Sequence, residues 1–311
     1  ALDSLDELAD YLPEDVAKQF DYPNLMKAFS DIHQPPDLDS AANARERLTF
    51  DEALLLQLLL GQRRNEIVKL VTKSRTPNTP VLVAAFEAKL PFKYTAGQIE
   101  VNAQIEKDLS NKYPMHRLLQ GEVGSGKTVV ALRAMLSVVD SSGQAALLAP
   151  TEVLAQQHFR TIKKLLGELA QAGTLQAGSI GTEVELLTGS LSTAEKKEIH
   201  AKLASGQTGI VIGTHALISD GVTFADLGLV VVDEQHRFGV EQRDALRMKA
   251  KQPPHLLVMT ATPIPRTVAM TVFGDLDIST LKELPSGRVA ITTHIIPVLE
   301  KPHFFYSLEH G

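Results

Sequence analysis

The 311-residue sequence contains no cysteine and no tryptophan, and only 5% of its residues are aromatic. Without cysteine the chain can form neither disulfide bonds nor thiolate metal sites, which fits a reducing, cytoplasmic environment. Long hydrophobic runs are also missing, since none approaches the ~20 apolar residues that a membrane helix needs. The sequence begins with acidic rather than basic residues, unlike a secretory signal peptide. We therefore expect a cytoplasmic protein with no membrane partner.

A surplus of positive charge is lacking as well. The chain has 31 Lys and Arg against 37 Asp and Glu, a net charge of −6, whereas a nucleic-acid-binding surface is usually basic. The acidity is concentrated in residues 1–40, whose net charge is −8, so that the remainder carries +2. An acidic stretch of this kind is usually a solvated helical face. The charge balance therefore does not exclude a nucleic-acid partner for the rest of the chain.

The length predicts about two structural units, and the first, residues 1–90, has a helical pattern interrupted by prolines. Thr49-Phe50-Asp51-Glu52 fits a capping box and predicts that a helix begins there. The leucine-rich run Leu54–Leu60 follows, and its all-round hydrophobicity predicts burial on several sides. Because this unit has no catalytic pattern, we interpret it as a helical connector.

From about residue 92, short apolar runs alternate with segments of helical length. The predicted strands are Arg117–Leu119, Ala145–Ala149, Val184–Leu187, Ile210–Ile212, Leu229–Val232 and Leu256–Met259. The predicted helices between them include Thr128–Val139, Glu152–Leu169 and Thr193–Ala204. This alternation predicts an α/β fold with a mostly parallel sheet flanked by helices. Ligands of such sheets bind beyond the carboxyl ends of the strands.

The first predicted strand leads into a match to G-x-x-x-x-G-K-[ST], the phosphate-binding P-loop: Gly121-Glu122-Val123-Gly124-Ser125-Gly126-Lys127-Thr128. Its glycines allow backbone N–H groups to surround a phosphate, and the helix that follows contributes its positive end. In such a loop Lys127 reaches the β- and γ-phosphates, and the Thr128 hydroxyl binds Mg²⁺. The sequence therefore predicts ATP and Mg²⁺ as cofactors, bound by Gly121, Gly124, Ser125, Gly126, Lys127 and Thr128.

A second candidate site follows the apolar run Leu229–Val232, which ends in Asp233 and Glu234. The pair resembles the second nucleotide-binding motif of P-loop ATPases, in which Asp233 would hold Mg²⁺ and Glu234 would orient and deprotonate the attacking water. This division suits a reaction that depends on positioning and charge neutralisation. An acidic pair at a strand end is otherwise usually solvated, but its place after a P-loop favours a nucleotide site.

The tetrad Asp233-Glu234-Gln235-His236 resembles the D-E-x-H motif of superfamily 2 helicases, whose motor consists of two RecA-like lobes that clamp ATP. The resemblance implies a RecA-like P-loop domain over residues 91–288 and the start of a linker to a second lobe over 289–311. It adds His236 to the catalytic group of Lys127, Asp233 and Glu234. Thr95-Ala96-Gly97-Gln98 is similar to the family's glutamine motif, so Gln98 would read adenine, with Phe92 beside it.

The same resemblance assigns the other strand ends to nucleic-acid contact and to coupling with the ATP site. The segment Ala149-Pro150-Thr151-Glu152, with Gln157 and His158, is similar to motif Ia, and its assigned residues are Pro150 and Thr151. The remaining positions are Thr188, Gly189, Thr214, His215, Thr260 and Thr262. Taken singly, Thr and Gly in short loops are commonest as turn formers. His158 and His215 are open to the plainer interpretation of partly buried, hydrogen-bonded histidines.

Three longer segments narrow the resemblance to the RecG family of bacterial fork-remodelling helicases: Arg117–Gln120, Asp233–Arg243 and Thr260–Thr267. The resemblance implies an ATP-dependent DNA helicase that remodels stalled forks and Holliday junctions in recombination and repair. The implied partners are branched double-stranded DNA and single-stranded-DNA-binding protein, and the implied state is a monomer. A transcription-repair coupling translocase, which tends to have Glu at the position of Gln235, remains an alternative. A noncatalytic nucleotide-binding scaffold and an RNA substrate also remain open.

Two parts of the family pattern have no counterpart in this sequence, namely the DNA-binding wedge and the second lobe with its arginine finger. An arginine finger contributes about 10³–10⁵ to turnover. We therefore expect the isolated chain to bind ATP and Mg²⁺ but to hydrolyse ATP slowly and not to unwind DNA.

Overall fold

The computed structural model describes residues 9–170, 180–233, 248–261 and 276–283. The first four helices are α1 (Glu14–Gln19), α2 (Leu25–His33), α3 (Leu38–Lys69) and α4 (Val81–Lys89). Helices and strands then alternate as α5 (Ala96–Leu109), β1 (His116–Gly121), α6 (Lys127–Asp140), β2 (Gln144–Leu148), α7 (Glu152–Leu166), β3 (Glu183–Leu187), α8 (Thr193–Ser205), β4 (Thr208–Gly213), β5 (Leu227–Asp233), β6 (His255–Thr260) and β7 (Asp277–Leu281). None of the helices within these ranges is both long and apolar enough to span a membrane.

In the described part of the chain the strands form one seven-stranded sheet in the order β3-β4-β2-β5-β6-β1-β7, and every neighbouring pair is parallel. Strands β1, β2, β4 and β6 are buried at every position, as expected when helices cover both faces of a parallel sheet. The predicted α/β class with a parallel sheet between helices is confirmed.

The register of the sheet places the candidate site on three adjacent strands. Gln120 at the end of β1 pairs with Thr260 of β6, and Asp233 at the end of β5 pairs with Met259 of β6. Because all strands run in the same direction, their carboxyl ends form one edge of the sheet, which we call the carboxyl edge. The P-loop after β1 and Asp233 at the end of β5 therefore lie on the same edge, separated only by β6.

Hydrophobic residues fill both sides of the sheet. One cluster joins the sheet to α4, α5, α6 and α7, and the other joins it to α8 and the segments around it. Helix α4 contributes the buried Leu82, Val83 and Phe86 to the first cluster. The division of the chain at about residue 90 stays a prediction.

The long helix α3 differs from the expectation in two respects. A helix start at Thr49 was wrong, because α3 begins after Asp37, whose carboxylate accepts from the Ser40 N–H at 2.7 Å. Thr49 lies inside this helix, and its hydroxyl donates to the Arg45 carbonyl. Burial of the leucine-rich run on several sides was also wrong, since Leu55 and Leu58 are 63% and 61% exposed.

Buried charge holds the amino-terminal helices together. The Arg47 side chain is fully buried, donates to Asp51 one turn later, and reaches back to Asp10 at 2.7 Å. Arg47 holds the pKa of the Asp10 carboxyl below its usual range. Breaking a buried pair by removing one partner costs about 3–5 kcal/mol, so Arg47 is the polar anchor of this part.

The segment after α3 crosses the opposite edge of the sheet, formed by the amino ends of the strands. We call its contacts the amino-edge seam: residues 72–75 against residues 226, 253 and 255. Thr72 donates through its hydroxyl to the Pro253 carbonyl at 2.6 Å, and Arg75 donates through both terminal nitrogens to Asp226 at 2.8 and 2.6 Å. Arg75 is only 2% exposed, so the seam contains a buried charge.

The seam also fixes a buried histidine. The His255 Nδ1 accepts from the Met115 N–H at 3.0 Å, which leaves the proton on Nε2, facing the Lys73 carbonyl at 3.4 Å. Burial, helped by the nearby charge of Arg75, lowers the pKa of His255 to about 4. The ring is therefore neutral at neutral pH.

Candidate functional site

The P-loop connects β1 to α6 with the backbone that a phosphate-binding loop requires. Gly124 and Gly126 have φ angles of 85° and 87°, a left-handed conformation that costs other residues about 1–2 kcal/mol. A Cβ on Gly126 would in addition collide with the Gln98 side chain. These glycines are therefore required by the shape of the loop, and α6 begins directly after them.

Lys127 and Ser125 supply polar groups within the loop. The Lys127 amine donates to the Gly121 carbonyl at 2.7 Å and to the Glu122 carbonyl at 3.0 Å. The Ser125 hydroxyl is buried and has no hydrogen-bond partner among the residues that the structure describes. A cation, an orphaned hydroxyl and the N-terminus of α6 thus converge on one loop, and this donor set fits a phosphate.

Gln98 joins the start of α5 to the P-loop. Its side-chain oxygen accepts from the Thr95 N–H at 3.0 Å, and the Thr95 hydroxyl accepts from the Gln98 N–H, which completes a capping box. The Gln98 amide nitrogen donates to the Ser125 carbonyl at 2.9 Å. Both ends of this side chain therefore hold protein groups, and its role in reading adenine stays a prediction. Phe92, which precedes Thr95 in the sequence, is partly exposed.

Asp233 ends β5, and its carboxylate has a partner that the sequence did not indicate. The His158 Nε2 on α7 lies 2.7 Å from the Asp233 Oδ2, and the two side chains are only 12% and 14% exposed. Since an ionised carboxylate can only accept, the histidine nitrogen is the donor. The residues are 75 positions apart in the sequence. The available sequence signal for this contact was a histidine about two turns into the helix that follows β2.

The candidate Mg²⁺ ligands are few. Thr128 is half-buried in the first turn of α6, and Asp233 is the last residue of β5 on the same edge. No group of three or more His, Asp or Glu side chains that could hold a metal occurs in the described ranges. This fits Mg²⁺, which proteins usually bind through one or two side chains together with substrate phosphates.

The predicted nucleic-acid residues also follow strand ends on the carboxyl edge, and they divide by exposure. Thr151 and Gly189 are exposed, as is His215, and Pro150 is half-buried. The side chains of the remaining threonines are buried, namely Thr188, Thr214 and Thr260. The exposed residues are therefore those in a position to contact a ligand directly.

Glu152 connects the start of α7, after β2, to the loop that follows β3. Thr151 caps α7 by accepting from the Leu154 N–H, and the Glu152 carboxylate accepts from the Ser190 N–H at 3.0 Å. Hydrogen bonds from Ser190 lower the pKa of Glu152. Lys196 donates to the Gly189 carbonyl at 2.6 Å from the other side. The resemblance to motif Ia includes Glu152, but no local pattern indicates its contact with Ser190.

Three predicted site residues lie outside the described residues: Glu234, His236 and Thr262. Their roles as water-orienting, catalytic and coupling residues stay predictions.

These features define a P-loop fold of the helicase type, and comparison with known proteins identifies its family. The family model for DEAD/DEAH box helicases matches residues 95–271, and the chain belongs to that family. The more specific resemblance is to ATP-dependent DNA helicase RecG. The Mycobacterium leprae RecG is 52% identical over 303 residues, which cover 97% of this chain and 41% of that protein. The Bacillus subtilis RecG is 42% identical, over 93% of this chain and 41% of that protein.

A solved structure supports the same resemblance. The structure of RecG bound to a three-way DNA junction is similar with a TM-score of 0.80 at 36% identity, over 97% of this chain and 39% of that one. The predicted RecA-like fold and the resemblance to RecG are thereby confirmed. The chain spans about two fifths of the length of these relatives.

Proposed function

We propose that this chain supplies the ATP- and Mg²⁺-binding lobe of an ATP-dependent DNA helicase that remodels branched DNA in recombination and repair. The observation that carries the proposal is the P-loop, in which Lys127, the orphaned Ser125 hydroxyl and the start of α6 converge. The 52% identity to an ATP-dependent DNA helicase supports DNA as the nucleic acid on which the helicase acts. The transcription-coupling alternative is not favoured by these relatives. A noncatalytic scaffold would be favoured by the loss of Lys127, Thr128, Asp233 or Glu234, and all four are present.

Each residue at the carboxyl edge then has a role that its position allows. Lys127 and the loop amides bind the phosphates, and Thr128 with Asp233 would hold Mg²⁺, which neutralises charge on the transferred phosphoryl group. Glu234 and His236 lie outside the described residues; Glu234 would orient and deprotonate the attacking water, and His236 would belong to the same catalytic group. Gln98 and Phe92 form the adenine side of the site.

The proposed partner is branched double-stranded DNA, of the kind to which RecG is bound in the solved structure. Thr151, Gly189 and His215 are exposed on the edge that also carries the P-loop. Contacts of loop hydroxyls and amides to phosphates need no large basic surplus, which agrees with the near-neutral charge of residues 41–311. Binding of single-stranded-DNA-binding protein and a monomeric state are further parts of the proposal.

The test of nucleotide binding is Lys127→Ala, measured by titrating the chain with a fluorescent ATP analogue in the presence of Mg²⁺. Hydrogen bonds to charged groups are worth about 1.5–3 kcal/mol, so the dissociation constant should rise at least about tenfold. The matched control is Lys107→Ala, which removes an exposed lysine of α5. Equal affinities for the wild type and Lys127→Ala would refute the P-loop assignment.

The test of the substrate is ATPase turnover of the full-length protein with a model fork, a Holliday junction, linear duplex DNA and RNA. We expect slow basal turnover and the greatest stimulation by branched DNA. Stimulation by RNA alone would overturn the assignment of the substrate.

A further inference from the structure

We propose that His158 is a positioning residue for Asp233, and that through it helix α7 links the Mg²⁺ site to the loop at residues 188–190. The inference rests on the proposed function, because it takes Asp233 as the Mg²⁺ ligand. It adds to that function a residue that acts through the ligand and a physical connection between the two candidate sites.

The first step is the contact itself. The His158 Nε2 donates to the Asp233 Oδ2 at 2.7 Å between two largely buried side chains. Such a bond to a carboxylate is stronger than a neutral one, and water competes little for it. One carboxylate oxygen is thereby fixed, which restricts the orientation of the other. Partners of this kind orient metal-binding carboxylates, and removing them typically costs about 10–100-fold in metal affinity.

The second step is the rigidity of the helix that carries the histidine. Ala155, Ile162 and Leu166 of α7 are fully buried in the core on one side of the sheet. They lie three residues before, four after and eight after His158, and therefore on the same side of the helix. His158 consequently projects from the packed face of α7, and its backbone moves only together with that helix.

The third step is the other end of α7. Glu152 lies six residues before His158, or about 9 Å along the helix axis. Its carboxylate accepts from the Ser190 N–H, and a Cβ on the neighbouring Gly189 would lie 3.0 Å from the same oxygen. One rigid helix thus contacts the loop at residues 188–190 with its first turn and Asp233 two turns later. A ligand that displaces this loop shifts the histidine that holds Asp233.

The experiment measures binding of a fluorescent ATP analogue to the chain as a function of Mg²⁺ concentration. His158→Leu keeps bulk but removes the donor, so the half-saturating Mg²⁺ concentration should rise about 10–100-fold. His158→Gln keeps an amide donor of similar reach and should stay within about threefold of the wild type. His200→Gln, on α8, is the matched control and should leave the value unchanged. Thermal unfolding of each variant reports whether the fold is intact.

Two results would overturn the role of His158: an unchanged Mg²⁺ requirement in His158→Leu, or equal impairment of the Leu and Gln variants, which would indicate packing alone. Failure of the proposed function has a different signature, since the wild type itself would then bind the analogue no better than Lys127→Ala.

The link through α7 has its own readout. Adding a three-way DNA junction to the wild type should change the half-saturating Mg²⁺ concentration at least about fivefold, the lower end of typical coupling between two sites. In His158→Leu this change should be lost. An equal change in both proteins would show that the coupling does not pass through His158.

Discussion

The two edges of the sheet use polar residues in opposite ways. At the amino edge, Arg75 and Asp226 bind each other across the seam, and the buried His255 is fixed between backbone groups. At the carboxyl edge, Lys127 donates to the Gly121 and Glu122 carbonyls of the P-loop, and the Ser125 hydroxyl has no hydrogen-bond partner within the described residues. The same sheet thus supports permanent attachment at one edge and the proposed ligand binding at the other.

Glycine shows the same difference. At the amino edge, Gly143 and Gly228 leave space for the Arg75 guanidinium, because a Cβ on either would lie 2.6 Å from it. At the carboxyl edge, Gly126 is needed for its positive φ angle. Glycine thus allows close packing of a side chain in the seam and an unusual backbone in the P-loop. The following changes test whether the two edges are independent.

The largest expected effect comes from Arg75→Ala. Removing one partner of a buried pair costs about 3–5 kcal/mol, and because Asp226 is partly exposed we expect the lower value, about 3 kcal/mol. Urea unfolding measures this loss of stability. Affinity for the ATP analogue in the remaining folded protein should match the wild type. A tenfold loss of that affinity would show that the two edges are coupled.

The second expected effect is the pH dependence of stability that His255 imposes. Its pKa is about 4 in the folded chain and 6.5 in the unfolded chain, so as the pH falls below 6.5 the unfolded state gains a proton that the folded state does not. The contribution of neutral His255 to the unfolding free energy is therefore present above pH 6.5 and is lost as the pH falls towards 4. About 2 kcal/mol of it is lost between pH 7 and 5.

The variant that isolates this effect is His255→Asn, whose side-chain oxygen can still accept from the Met115 N–H but does not titrate. Its unfolding free energy should change with pH by about 2 kcal/mol less than that of the wild type over the same range. Parallel curves for the two proteins would exclude His255 as the source. Asp226, whose pKa Arg75 and Lys73 lower to about 2, contributes its own loss only at more acidic pH.

The smallest expected effects are those of a matched pair, Gly228→Ala and Gly126→Ala. In the seam, the new Cβ of Gly228→Ala would meet Arg75 and Val138, and overpacking of this kind costs about 1–3 kcal/mol. In the P-loop, Gly126→Ala incurs about 1–2 kcal/mol from its φ angle. Only the P-loop variant should also weaken binding of the ATP analogue. Weakened binding in both variants would remove the distinction between the edges.

The sheet was largely predictable because buried strands of a parallel sheet are continuous apolar runs. All six predicted strands exist, and Val184–Leu187, for example, falls within β3. The strand that was missed, β7, is at the edge of the sheet and is mostly polar, with Asp277, Ser279 and Thr280 among its five residues. The P-loop was predictable because its chemistry is local in the sequence.

The remaining features depend on contacts between distant residues. His158 and Asp233 are 75 positions apart, and Arg75 and Asp226 are 151 apart, so no local pattern indicates either pair. The false helix start at Thr49 has a related cause. The capping-box pattern is present at Thr49–Glu52, but the carboxylate of Asp37 already caps the same continuous helix twelve residues earlier.

The backbone hydrogen bonds of the seam predict how readily the segment after α3 opens. The amide of Thr72 donates to the Lys112 carbonyl and that of Arg75 to the Leu109 carbonyl, next to the start of the sheet. In hydrogen-exchange terms, these amides should be protected to the same degree as the central strands, because they are released only when the sheet opens. We therefore expect residues 72–75 to unfold together with the sheet. A force applied to α3 would then have to open the sheet before it released this segment.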